Sequence, residues 1–213
     1  ANRCMNLKIF SDSYTYLQMT HISIKSSPQE VGLHILFIHG YGSGAKNLTG
    51  SEIQRKLGNK AYVFMPGFSN ELEKFENMEQ NILKATDFVR EHKIDLVIGS
   101  SMGGFTAMQV PEVNKILVNP AMVPSDIFNL GMLEDISETE IHKYRKLENR
   151  VVSKEEAALT YALFATDDEL FSYKERFERL YDPQKSFQMR GKHVISPKNI
   201  REDLLPLIER ITS

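Results

Sequence analysis

Apolar residues recur along this chain in two alternating patterns. Short, nearly unbroken runs occur at Leu33–Ile38, 61–65, 96–98, 115–119 and 159–165, as expected for strands buried on both faces. Between them lie stretches whose apolar positions fall three and four apart, the period of an amphipathic helix. The clearest is Phe75, Met78, Ile82, Ala85 and Val89; another is Leu170, Tyr173, Phe177 and Leu180, after Thr166-Asp-Asp-Glu169. Capping boxes at Thr49…Glu52, Asn70…Glu73, Ser137…Glu140 and Ser153…Glu156 mark helix starts. Ser186–Met189 is a last short strand. Ser196-Pro197 then opens a terminal helix with serine as cap and proline at the first position. Pro206 must kink or restart that helix, because it has no N–H to donate.

Two regions depart from this rhythm. Residues 7–10 and 14–24 alternate with β-branched and aromatic residues and read as antiparallel strands. Residues 125–156 are charged and helix-prone, and read as a small helical insertion that covers the sheet as a reduced lid. The rest is strand–helix repeated. The expectation is one α/β domain over residues 1–213, a three-layer αβα sandwich around a mostly parallel sheet.

Composition narrows the class. With 41% hydrophobic and 25% charged residues the chain reads as soluble and globular. A formal net charge of −2 advertises neither a nucleic-acid nor an anionic-membrane partner. No run reaches the roughly 18 apolar residues a membrane span needs, and none near the N-terminus resembles a signal peptide. The single cysteine, Cys4, cannot form an intrachain disulfide or a metal cluster, so a cytoplasmic, reducing setting is expected. No metal or cofactor is expected, and oligomeric state is not legible.

Candidate chemistry centres on Gly99-Ser-Ser-Met-Gly103, which joins a strand to a helix. G-x-S-x-G in this setting is a nucleophile elbow with Ser101 at its apex. Gly99 and Gly103 allow the helix to approach the strand, and the turn sets Ser101 at the helix's positive end. Three fixed positions match by chance in roughly one chain of this length in fifteen, so the elbow needs partners. A serine hydroxyl requires a base, and the base an acid to orient it.

Of six histidines, His21 and His34 lie in strands, His92 closes a helix and His142 sits in the insertion, all structural positions. His39 follows the first buried strand. His193 alone lies beyond the acidic loop, at the carboxyl end of the last strand, and is the candidate base. Asp167, Asp168 and Glu169 are candidates for the acid; Asp182, beside Pro183, reads as a turn residue. The backbone N–H groups of Tyr41 and Met102 are the candidate oxyanion donors. Gly40-Tyr-Gly-Ser-Gly-Ala45 also fits a dinucleotide fingerprint. However, its helix begins near Thr49, and the next strand ends in Met65-Pro66-Gly67 with no acidic ribose ligand.

These segments resemble the α/β-hydrolases, and among them the small bacterial YqiA-like esterases. The shared features are Ile38-His-Gly-Tyr41, Gly99-Ser-Ser-Met-Gly-Gly104, Val118-Asn-Pro-Ala121, Thr166-Asp-Asp-Glu169 before Tyr173, and Gly191-Lys-His193. The resemblance implies a Ser101–His193–Asp168 triad, with Tyr41 and Met102 as oxyanion donors. The family has glycine where this chain has Asp167. It further implies cofactor-free hydrolysis of small acyl esters or thioesters. Met122, Phe128, Leu130 and Met132 either line an acyl pocket or pack the insertion onto the sheet. Two other classes compete: a hydrolase-like binding protein without efficient turnover, and an acyltransferase or C–C bond hydrolase on the same scaffold.

Overall fold

A computed structural model describes residues 32–44, 47–67, 78–129 and 137–213. The strands expected in 7–24 and the box at Asn70…Glu73 lie outside the described residues. The chain divides into Ala1–Glu30 and a unit from Val31 to Ser213, and the second unit holds the sheet.

Six strands form the sheet: β1 (Leu33–Ile38), β2 (Ala61–Phe64), β3 (Leu96–Ser100), β4 (Asn114–Val118), β5 (Thr160–Ala165) and β6 (Ser186–Met189). Their order is β2-β1-β3-β4-β5-β6, and every neighbouring pair is parallel. Parallel strands need crossovers, and helices supply them on both faces. Helices α2 (Met78–Glu91) and α3 (Met102–Met108) pack Ala85, Ala107 and Met108 against Leu36, Val97 and Leu117. On the opposite face, α1 (Leu48–Leu57) brings Ile53 to Ile35, Phe37, Ile98 and Ile116. Register follows from this two-sided burial, since a one-residue slip would exchange the two cores.

Helix caps explain several boundaries. The insertion region holds α4 (Ser125–Asn129), α5 (Glu138–Glu148) and α6 (Lys154–Ala158); as expected, Ser137 caps α5 by accepting the Glu140 N–H, and Ser153 caps α6 by accepting that of Glu156. Thr49, by contrast, is not the cap of α1. Asn47 is, its Oδ1 accepting the N–H groups of Thr49 and Gly50 at 2.8 and 3.2 Å. The helix expected directly after Glu169 begins later, as α7 (Lys174–Leu180). Asp182 caps the turn at Pro183–Lys185 by accepting the Gln184 N–H.

The terminal segment shows what Pro206 does. After α8 (Pro197–Asn199), residues Ile200–Leu204 form a π segment that runs into α9 (Leu205–Thr212). The Leu205 N–H bonds to the Ile200 carbonyl, one residue further back than in an α-helix. That wider step absorbs a proline whose ring and missing N–H disrupt the regular ladder. Ile200, Leu204, Leu207 and Ile208 remain on the α1 side of the sheet. No described helix is long and apolar enough to cross a membrane.

Candidate active site

The elbow joins β3 to α3 in the geometry its glycines allow. Ser101 has φ 53° and ψ −119°, a left-handed strain uncommon outside glycine. A Cβ on Gly99 would stand 2.4 Å from the Gly103 carbonyl oxygen, and one on Gly103 2.2 Å from that of Ile38. No side chain fits at either position. The strained turn is held by neighbours: the Ser101 N–H donates to the Val118 carbonyl at 3.0 Å, and its own carbonyl accepts from Ala121 at 3.0 Å.

His193 reaches this turn from the loop after β6. Its Nε2 lies 2.9 Å from Ser101 Oγ, and its Nδ1 lies 2.9 and 3.1 Å from the two oxygens of Asp168. A carboxylate can only accept, so Nδ1 carries the hydrogen and Nε2 is left to accept from the serine hydroxyl. Both side chains are over nine-tenths buried. Of the three acidic candidates, then, Asp168 is the one against the imidazole. Asp167 is exposed and accepts from the Thr166 hydroxyl. Glu169 takes the His193 backbone N–H at 3.1 Å. Its own N–H first, and then that of His193, hold its carboxyl below the ordinary value, with Lys192 adding to the effect.

The acidic loop is a turn rather than a helix start for a local reason. Asp168 Oδ1 accepts the N–H groups of Leu170 and Phe171 at 2.8 and 3.0 Å, curling the chain around the carboxylate. Leu170 and Phe171 thereby leave the helical register and face a cavity of about 310 Å³. Gly40, Tyr41, Ser101, Met102 and His193 line it, together with Ile127, Val194 and Ile195. Met102 is the first residue of α3, so its N–H precedes the helical ladder. Phe171 stands edge-on to His193 at 5.1 Å and stacks on Tyr173. The Tyr173 hydroxyl donates to Asp126 in α4, next to Ile127, at 2.7 Å; burial first, and then that carboxylate, raise its pKa.

The other described histidines have positions of their own. His34 and His92 join through Nδ1 and a carbonyl at 3.0 Å, His39 Nδ1 bonds the Gly40 carbonyl, and His142 is exposed on α5. His21 lies outside the described residues. Met122 packs in the core between α3 and the sheet rather than in the cavity, while the side chains of Phe128, Leu130 and Met132 lie outside the described residues. Among the described residues of the insertion, Ile127 lines the cavity, and sequence reading passed over it. It also passed over Asn119, buried at the end of β4 and bonded to Lys192, His193 and Ala165. The available signal was its place: a polar residue at a strand's carboxyl end, where sites form in such sheets.

A parallel sheet with a strained serine turn after β3 defines an α/β-hydrolase fold, and solved structures agree. A member of that superfamily from Xanthomonas campestris pv. campestris is 15% identical (84% of this chain, 96% of that one, TM-score 0.55). Est1E from Butyrivibrio proteoclasticus is 14% identical (87% and 91%, TM-score 0.59). S-formylglutathione hydrolase (FrmB) from Staphylococcus aureus is 15% identical (87% and 84%, TM-score 0.56). No curated protein matches the chain. The profile of an uncharacterised protein family (UPF0227) matches residues 34–209, and the chain belongs to that family.

Proposed function

We propose that this hydrolase is a serine esterase or thioesterase acting on small acyl groups through Ser101, His193 and Asp168. The observation that carries the reading is the unbroken line of contacts from Asp168 through His193 to Ser101 Oγ, beside a cavity walled by Ile127, Phe171 and Ile195. The structural neighbours establish the fold; the chemistry rests on this site.

In the proposed reaction His193 Nε2 takes the hydroxyl proton as Ser101 Oγ attacks the acyl carbon. The Tyr41 and Met102 N–H groups receive the oxyanion, and Asp168 stabilises the imidazolium. His193 then gives the proton to the departing alcohol or thiol, leaving an acyl-serine. Water, deprotonated by His193, attacks that ester; the acid leaves and Ser101 regains its proton. Ile127, from the insertion, serves as an acyl contact. The lone Cys4 favours a reducing, cytoplasmic setting. The experiment is labelling by a fluorophosphonate together with turnover of p-nitrophenyl butyrate. Wild-type protein should label and hydrolyse, while Ser101→Ala should not label and should lose about 10³-fold or more in kcat. Wild-type turnover by Ser101→Ala would sink the assignment.

A further inference from the structure

Asn119 is buried, with φ 43°, and four bonds converge on it from separate parts of the chain. Its N–H donates to the Leu163 carbonyl at 3.0 Å, continuing the ladder to β5. Its side-chain Oδ1 accepts the Ala165 N–H at 2.7 Å, at the end of the strand that leads into Asp168. Its Nδ2 donates to the His193 carbonyl at 2.7 Å and to that of Lys192 at 3.3 Å. The elbow is bonded to residues on either side, through Val118 and Ala121. One residue thus touches or flanks all three segments that carry Ser101, Asp168 and His193.

The chemistry of these partners fits asparagine specifically. Two carbonyl oxygens require a donor and one N–H requires an acceptor, and only an amide offers both from a single planar group. Aspartate, of nearly the same shape, would set a carboxylate oxygen against the His193 and Lys192 carbonyls. The left-handed backbone is also one that asparagine tolerates better than most residues.

We infer that Asn119 is a positioning residue for the proposed reaction, locking the base loop and the acid loop to the elbow. The inference rests on the triad reading above. A buried asparagine at a strand end otherwise needs only to satisfy local backbone, and such a role changes stability without changing chemistry. The two differ in what the relay feels: a displacement of about 1 Å between His193 and Ser101 costs on the order of 100-fold in rate.

The test uses the full chain with Asn119→Gly, which suits the positive φ while deleting the bridge, and Asn119→Asp, which keeps the shape and reverses the donor. Both are assayed on p-nitrophenyl butyrate well below their melting temperatures, beside wild type and Ser101→Ala, and Ser101 is labelled with a fluorophosphonate. Each variant should lose about 10- to 100-fold in kcat with KM within about threefold, and the labelling rate should fall in parallel. If either folded variant keeps wild-type kcat and labelling rate while melting lower, the bridge is structural only and the inference is overturned. Absence of turnover in wild type, or its persistence in Ser101→Ala, overturns the triad reading and the inference with it.

Discussion

Two buried polar side chains stand at opposite ends of β4, and their surroundings are opposite in kind. Asn119, at the carboxyl end, has its side chain bonded to Ala165, His193 and Lys192. Lys115, near the amino end, is fully buried, and its Nζ has no hydrogen-bond partner among the described residues. Charges stand near it: Glu156 attracts the ammonium and Arg150 repels it. But Glu156 is committed to Arg150, whose guanidinium also holds Gln109 and the Met108 carbonyl. Burial then dominates and pushes Lys115 down to about 8. The same strand therefore carries a satisfied polar network where chemistry is proposed and an unsatisfied cation where none is. Substitutions at the two ends should separate cleanly, those at the carboxyl end reaching activity and those at the amino end reaching stability.

The largest effect is expected at Asp168. Asp168→Asn keeps the shape but no longer requires the hydrogen on His193 Nδ1, and kcat should fall by roughly 10⁴-fold with little change in melting temperature. Asp167→Asn, one residue away and exposed, should remain within about twofold of wild type. Steady-state kinetics on one ester decide it, and equal losses in both variants would break the distinction drawn between them.

At the amino end the expectation concerns pH. An unfolded lysine titrates at 10.5 and the folded Lys115 at about 8, so between these values the unfolded chain holds more protons. Stability should therefore rise as pH increases from about 8 towards 10.5; below that window both states are charged and the full penalty is present. The shift corresponds to a penalty on the order of 3 kcal/mol at pH 7. Lys115→Met removes the charge and keeps most of the volume. It should raise the unfolding free energy at pH 7 and flatten the rise above pH 8, leaving kcat unchanged. Urea titrations across that range test it, and an undiminished pH slope in Lys115→Met would assign the dependence elsewhere.

What sequence made legible follows the same division. The buried strands announce themselves as apolar runs, and chain order alone separates His193 from the other histidines. Chain order and spacing left the acid open among three adjacent carboxyls, which differ only in where the turn points them; the family resemblance alone singled out Asp168, the one whose oxygens lie against His193 Nδ1. That turn also defeated periodicity. Leu170, Tyr173, Phe177 and Leu180 keep helical spacing, yet Asp168 draws the Leu170 and Phe171 N–H groups to its carboxylate and delays the helix to Lys174. Asn119 lies in a motif shared with the family, but its role is invisible there, since its bonds reach Ala165 and His193, far along the chain. Lys115 was likewise hidden inside a strand that looked simply apolar.

The smallest expected effect lies at Phe171, and it tests whether the cavity's wall is separable from its chemistry. The ring meets His193 edge-on at 5.1 Å and lines the cavity, while Tyr173 beneath it is tied to Asp126 beside Ile127. Replacing Phe171 with alanine enlarges the acyl space without touching the bonds from His193 to Ser101 or Asp168. Short acyl chains lose contact and longer ones gain room, so the ratio of kcat/KM for octanoyl over butyryl esters should rise about tenfold, near 1.4 kcal/mol. The change should appear mainly in KM. A uniform fall in kcat for every chain length would mean that the ring instead holds the imidazole in place, and would move Phe171 from the wall of the cavity to the positioning of its base.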